Sequence, residues 1–203
     1  GAPLNTSQNE GAQSLSSDGN YMYFTACERP GGLGSCDIFF SALNNGKWSL
    51  PVNLGSPVNT KYWEVQPSIN AAGNMLFFSS NRPGGIGGKD LWFSVYKSNR
   101  KWSTPRNLGN VINTPGDEMS PFIHFDGKTL YFSSDGLPGM GGLDIYFSRM
   151  RDDTTWTEPK NLGYPINTYN DEMGLTIESG GQKAYFSTKR DEKEGKNIYS
   201  FKL

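Results

Sequence analysis

A repeat of 54 residues constrains the fold of this chain more than any other feature. A glutamate recurs at this spacing four times, and a phenylalanine follows each glutamate after fourteen residues. The glutamates are Glu10, Glu64, Glu118 and Glu172, and the phenylalanines are Phe24, Phe78, Phe132 and Phe186. A fixed period of this length indicates stacked copies of one supersecondary unit. The 203 residues therefore predict a single domain of four units, near 10–63, 64–117, 118–171 and 172–203.

Each unit has the pattern of four short antiparallel strands, as the second unit illustrates. Residues 66–69 lead into an Ala72-Gly73 turn, and the apolar run at 76–78 follows. Such runs suit strands that are covered on both faces. A glycine-rich loop then leads to a third strand at 90–93. The fourth strand carries Trp102 followed by Pro105, which an outer edge strand tolerates because it can spare a backbone donor.

These units predict an all-β fold, a β-propeller built of four-stranded antiparallel blades. The sequence has no helical periodicity, and strands that repeat as blocks fit radial blades better than a sandwich. The fourth unit is incomplete, because the sequence stops at Leu203, before its outer strand. We expect the chain to be part of a longer protein, and both a closed ring of four blades and a piece of a larger propeller remain open.

The balance of charge excludes one class of partner. Lysine and arginine total 19 against 20 for aspartate and glutamate, so the chain has no basic surplus for a phosphate backbone, and we expect no nucleic acid. The sequence also has no apolar run of about 18 residues, and we expect no membrane insertion by this segment. No cofactor is predicted.

Three strings in the third unit suggest a family. They are Asp-Glu-Met-Ser-Pro from Asp117, Asp-Gly-Lys-Thr-Leu-Tyr-Phe-Ser-Ser from Asp126, and Gly-Gly-Leu-Asp-Ile-Tyr from Gly141. Together they resemble the TolB-type, WD-like propeller repeat. The segment from Trp156 to Thr168 resembles propellers of OmpA-family peptidoglycan-associated lipoproteins, including components of type IX secretion. This resemblance implies a periplasmic protein associated with the outer membrane or cell surface, with a protein partner in the cell envelope.

The two cysteines, Cys27 and Cys36, flank the glycine-rich loop of the first unit. At the feet of one hairpin, cross-strand cysteines can meet. A redox pair or half of a metal site is one interpretation. We favour a structural disulfide, because the chain has no second cysteine pair and a single histidine. A disulfide favours an oxidising compartment.

The recurring acids have a structural and a functional interpretation. The four glutamates would form a ring around the central channel, which could bind a cation or a basic peptide. We favour glutamates that accept hydrogen bonds from amides of their own inter-blade loops, because clustered carboxylates repel one another. A second set of acids follows the glycine-rich loops: Asp37, Asp90 and Asp144. Their spacing does not match calcium-binding nonapeptides, so we expect structural hydrogen bonds and no metal site.

Aromatic residues in the inter-blade loops are the candidates for partner binding. Loops that vary on a rigid repeat scaffold are where such proteins place their contacts. The aromatic candidates are Tyr62, Trp63, Tyr164 and Tyr169. We expect a second set of loops, opposite the first, to contribute Arg29, Arg82 and Arg190.

These features predict a non-catalytic scaffold for protein–protein interaction rather than an enzyme. The alternative is a propeller that binds glycan or peptidoglycan, suggested by aromatic and asparagine-rich loops. A hydrolase with paired carboxylates is a third hypothesis. The regular spacing of the glutamates argues against it, because catalysis requires a site that breaks the repeat symmetry. No catalytic residue is predicted.

Overall fold

A computed structural model describes residues 1–152, 155–190 and 195–203. It confirms the prediction of an all-β propeller, since the strands form four separate antiparallel sheets around one cavity. The described residues contain no α-helix. The fourth sheet has three strands among the residues described.

The blades follow one another along the chain. Blade 1 contains β1 (Glu10–Leu15), β2 (Tyr21–Cys27), β3 (Cys36–Asn44), β4 (Lys47–Trp48) and β5 (Val52–Asn53). Blade 2 contains β6 (Glu64–Ile69), β7 (Met75–Ser80), β8 (Asp90–Val95) and β9 (Arg106–Asn107). Blade 3 contains β10 (Glu118–Ile123), β11 (Thr129–Ser134), β12 (Asp144–Arg149) and β13 (Lys160–Asn161). Blade 4 contains β14 (Glu172–Ile177), β15 (Lys183–Thr188) and β16 (Asn197–Lys202).

The core lies between blades rather than within them. In blade 2 the second strand is buried along nearly its whole length, and Phe77 and Phe78 are fully buried. Phe77 stacks on Phe93 of the next strand at 5.9 Å between ring centroids. Across the junction it meets the edge of Trp156 from blade 3 at 6.1 Å. Neighbouring blades cover both faces of the second strand, and this strand therefore requires consecutive apolar side chains.

The outer strands of blades 1, 2 and 3 differ from the prediction. Trp102 and Trp156 form isolated bridges to Tyr96 and Met150. The ladder resumes only after the proline, in the two-residue strands β9 and β13. Because proline has no amide hydrogen, it divides the outer strand into these two parts.

A β-bulge interrupts every innermost strand at the same place. The backbone there adopts a positive φ, which is uncommon outside glycine. The residues concerned are Ala12 (48°), Gln66 (54°), Ser120 (52°) and Gly174 (68°). Bulges bend a strand and re-aim its side chains, and they are frequent beside functional sites. The four bulges lie at the cavity enclosed by the blades.

The structure confirms the predicted disulfide. Cys27 and Cys36 are opposite one another in the β2–β3 ladder and are bonded through their sulfur atoms. The bond closes the glycine-rich loop of blade 1. Among the described residues, no helix is long and apolar enough to span a membrane.

Candidate functional site

The repeated glutamates begin the innermost strands and hold the inter-blade loops in place. In blade 2, the Thr60 amide donates to Glu64 Oε2 at 2.7 Å, and the Thr60 hydroxyl donates to Oε1 at 2.7 Å. The Ser80 hydroxyl donates to the same Oε1 at 3.0 Å. We call this set of a glutamate with its threonine and its Ser or Thr partner the glutamate clamp. The same contacts recur at Glu118 and Glu172.

An arginine completes the clamp in blade 2. The Arg82 guanidinium lies 3.2 Å from Glu64 Oε1, and both side chains are almost fully buried. It also donates to the carbonyls of Pro57 and Val58. Arg29 pairs with Glu10 at 3.5 Å in blade 1. In blade 4, Arg190 occupies the equivalent place and donates to the Ile166 carbonyl at 2.7 Å.

Blade 3 breaks this pattern, because Gly136 stands where the other blades have arginine. A side chain could not fit there: a Cβ on Gly136 would lie 1.8 Å from Thr114 Oγ1 and 2.7 Å from Thr114 Cβ. Glu118 is fully buried and, like Glu172, forms no ion pair within the described part of the chain. Glu118 differs from the other clamp glutamates because its blade has no arginine at this position.

The surroundings of Glu118 raise its proton affinity. Burial raises the pKa of its carboxyl above the usual range, and the nearby Asp90 raises it further. The hydrogen bonds from Thr114 and Ser134 act in the opposite direction and are outweighed. In blade 1, by contrast, hydrogen bonds from Thr6 and the charge of Arg29 together lower the Glu10 pKa against a burial contribution that raises it. A buried acid with a raised pKa is a recognised mark of functional sites.

The second set of acids holds the glycine-rich loops. Asp90 accepts hydrogen bonds from the amides of Ile86 and Gly87. Asp37 accepts from Leu33 and Gly34, and Asp144 accepts from Met140 and Gly141. No group of three or more metal-ligating side chains occurs among the residues described.

The aromatic candidates differ in their surroundings. Tyr164 and Tyr169 are largely exposed. Trp63 is half-buried, with the Lys89 ammonium 5.6 Å from its ring, and its amide donates to Asn81 at 3.1 Å. The last contact joins an inter-blade loop to the loop that follows β7, so the two sets of loops lie at the same end of the propeller. Their expected placement on opposite sides is corrected.

The three arginines do not extend into solvent as binding residues. Arg29 and Arg82 are held by carbonyls and glutamates, as described above, and Arg82 lies over the rings of Phe78 and Trp92. Arg190 lies over Phe186 and Tyr199. Their guanidinium groups bond to backbone carbonyls and, in Arg29 and Arg82, to a glutamate. The role of these loops in binding a partner stays a prediction.

The innermost strands enclose a central cavity of about 760 Å³. Its described lining is uncharged and consists of hydroxyl, amide, aliphatic and aromatic groups. Gln66 illustrates how the bulges shape it, since its side-chain oxygen accepts a hydrogen bond from the Ser120 amide of the next blade at 2.8 Å. Phe122 and Phe125 line blade 3, and their rings meet edge to face. Cavities of this size accommodate small-molecule ligands.

Sequence reasoning missed Glu118 as a singular position. The signal was present: arginine occurs in three units after the second strand, and glycine replaces it in the third. Without the fold, however, nothing linked that arginine to a glutamate eighteen residues earlier in the chain.

Comparison with known proteins establishes the fold. No protein-family model matches the chain, and no curated protein matches it. Among solved structures, an endo-arabinase from Bacteroides thetaiotaomicron superposes with a TM-score of 0.62 at 17% identity, over 100% of this chain and 78% of that one. An α-L-arabinofuranosidase from Lactobacillus brevis gives 0.59 at 11% identity, over 95% and 72%.

A structure from a study of two prolyl endopeptidases gives a TM-score of 0.54 at 19% identity. It covers 98% of this chain, which spans only 26% of that protein. At these identities the similarities show a shared propeller fold. The prediction of a non-catalytic scaffold, and with it the prediction that the chain is not an enzyme, is wrong, because the solved propellers that share its fold include an endo-arabinase and an α-L-arabinofuranosidase, which are enzymes.

Proposed function

We propose that the chain is the propeller of a carbohydrate-active enzyme, with a glycan bound at the central cavity. The observation that carries the proposal is the departure of blade 3 from the repeat. Catalysis requires a site that the other blades do not copy, and Glu118 is a buried acid without an arginine. The arabinase and arabinofuranosidase that share the fold support glycan as the substrate class.

The cavity lining supports an uncharged ligand. Its described residues offer hydroxyls, amides and aromatic rings without a cation or a carboxylate. Neutral sugars bind through such combinations of apolar surface and a few oriented polar groups. Glu118 begins the strand in which Ser120 and Phe122 line the cavity. Its carboxyl group is held by Thr114 and Ser134 and does not itself line the cavity, so the proposal requires the bound glycan to extend from the cavity toward it.

Cleavage of a glycosidic bond normally uses two carboxyl groups, one of which must be protonated. Glu118 has the raised pKa that a general acid needs. Asp135 is our candidate for the second group. It accepts the Asp117 amide at 2.7 Å and is exposed, and blade 2 has Asn81 at the equivalent position. Because Glu118 is closed off from solvent, the proposal requires the glycine-rich loop between Ser134 and Asp144 to open for substrate.

The experiment is an assay of reducing sugar released from arabinan and arabino-oligosaccharides by the chain. We expect release by the wild type and at least about a hundredfold loss in Glu118→Gln, the scale of general acid catalysis. Glu172→Gln is the matched control, because it alters the same clamp in a blade that retains its arginine. Absence of release from arabinan, xylan and sialylated glycans, or equal loss in both variants, would refute the proposal.

We further propose that the protein works in the periplasm, at the outer membrane. The TolB-type repeat resemblance and the Cys27–Cys36 disulfide support an oxidising compartment. Thiol alkylation of whole cells tests this location: the two cysteines should be protected until a reductant is added, and free thiols in vivo would contradict it. An interaction with another protein of the cell envelope stays a prediction.

A further inference from the structure

A second cavity lies between blades 1 and 2 and adjoins the central one, with which it shares Ser16, Ser17 and Ile69. Its volume is about 610 Å³, and five aromatic rings line it: Tyr21, Tyr23, Phe40, Tyr96 and Trp102. Trp102 forms its floor, with the ring of Tyr96 tilted against it at 5.1 Å and that of Tyr23 edge-on at 6.3 Å. We call this cavity the aromatic cleft.

The junction between blades 2 and 3 shows what the repeat does at the same place. At that junction Met75 takes the place of Tyr21, and Met150 takes the place of Tyr96. Both methionines pack onto a closed hydrophobic cluster. Phe77 and Trp156 of that cluster are 0% and 6% exposed, whereas Tyr23 and Trp102 at the same positions of the aromatic cleft are half-buried. Met75 and Met150 are half-buried, whereas Tyr21 and Tyr96 are 45% and 41% exposed. The exchange of two methionines for two tyrosines therefore accompanies a change from a filled junction to an open one.

The tyrosine hydroxyls of the aromatic cleft are available to a ligand, whereas Asp18 already accepts hydrogen bonds from Ser16 and Asn20. The hydroxyls of Tyr21, Tyr23 and Tyr96 have no hydrogen-bond partner within the described part of the chain. Burial, with the neighbouring Tyr96 and Tyr21, raises the pKa of Tyr23 to about 12, so its hydroxyl remains a donor at neutral pH. Asp18 and Arg100 stand at the rim, and Arg100 is exposed.

We propose that the aromatic cleft is a second glycan-binding site, in which a sugar ring lies against Trp102 and Tyr96 while its hydroxyls meet the tyrosine hydroxyls, Asp18 and Arg100. Aromatic walls with a few oriented polar groups at the rim suit a ligand that has an apolar face and a polar edge. The choice of glycan as ligand class rests on the proposed function, whereas the existence of the site rests on the cleft itself.

The test is NMR titration of the 15N-labelled chain with arabinotetraose and chitotetraose, followed at the Trp102 indole resonance. We expect a saturable shift with at least one of the two sugars. The double variant Tyr21→Met/Tyr96→Met should weaken that binding by at least about tenfold, a loss that a titration resolves easily. It reproduces residues that the next junction already accommodates, so it should fold. Leu50→Ser, an exposed change elsewhere, is the control.

Arg100→Asn provides an independent test at the rim, since asparagine tolerates the positive φ of this residue. Weaker binding in both variants supports the site. No shift with either sugar, unchanged affinity in the double variant, or a shift only with a proline-rich peptide, which aromatic grooves also bind, overturns it. The two proposals fail separately: Trp102 shifts without sugar release refute only the enzyme, and sugar release without Trp102 shifts refutes only this site.

Discussion

Blades 2 and 3 surround equivalent buried glutamates with different charges. Glu64 and Glu118 begin equivalent strands, are equally buried, and accept the same set of hydrogen bonds from a threonine and a serine. Arg82 then places a positive charge beside Glu64, whereas Gly136 leaves Glu118 without one. The two sites differ in electrostatics while their backbone geometry is shared.

This difference teaches how a repeat can acquire a singular chemical group without changing its fold. The hydrogen bonds of the clamp fix the inter-blade loop in blades 2, 3 and 4 alike. The arginine supplies a counter-charge that stabilises a buried carboxylate. Glu118 has no such counter-charge, and burial raises the pKa of its carboxyl group.

The largest effect should follow from creating the blade 3 arrangement in blade 2 by mutation. Arg82→Ala leaves Glu64 buried beside no cation and should lower the free energy of unfolding by about 3 to 5 kcal/mol. Urea denaturation measures this change. Lys89→Ala, which removes a half-exposed ion pair with Asp117, should cost less than about 1 kcal/mol. Equal losses in the two variants would mean that the clamp arginine has no special role.

The reverse change, adding a side chain in blade 3, should also destabilise. Gly136→Ala would press its methyl group against Thr114 and disturb the hydroxyl that donates to Glu118, at a cost of about 1 to 3 kcal/mol, as for overpacked cores. Gly11→Ala is the matched control, because nothing lies within 4 Å of its Cβ. If both variants unfold at the same urea concentration, the close approach of the blade 3 loop is not as described.

The fold could be predicted from sequence because the period is exact. Glutamate, turn and aromatic run recur in every unit, and the strands they predict are the strands observed, with Phe77 and Phe78 buried between blades. The disulfide could also be predicted, because both cysteines flank one hairpin loop. What the pattern could not predict was the division of the outer strand, where Trp102 and Arg106 belong to separate short pairings.

The candidate site was hidden because it depends on contacts between distant residues. In the sequence Arg82 is simply part of a loop, yet its guanidinium contacts Glu64 and the carbonyls of the preceding inter-blade loop. The sequence alone shows that Tyr21 in the first unit corresponds to Met75 in the second. Whether the larger ring fills the junction or opens it is decided by packing of side chains, which no periodicity encodes.

Replacing Glu64 and Glu118 by glutamine should destabilise the protein by different amounts. Glu64→Gln leaves the Arg82 guanidinium buried without its carboxylate, and we expect a loss of about 3 kcal/mol at neutral pH. Glu118→Gln removes no ion pair, and exchanging one hydrogen-bonding group for another should cost about 1 kcal/mol. Urea denaturation of both variants gives the comparison. A larger loss for Glu118→Gln than for Glu64→Gln would contradict the pairing that distinguishes the blades.

The smallest effect, a change in pH dependence, isolates the proton on Glu118. Its pKa is raised by burial in the folded chain, so between the unfolded pKa near 4.5 and the folded pKa the native state binds more protons than the unfolded state. The contribution of this group to stability is therefore fully present below the unfolded pKa and declines as the pH rises through the folded pKa. In Glu118→Gln this decline should be absent. Urea denaturation of the wild type and of Glu118→Gln at several values from pH 4 to pH 8 measures the difference between the two curves. Parallel curves would show that Glu118 stays charged in the folded protein, and blade 3 would then be electrostatically equivalent to blade 2 despite its missing arginine.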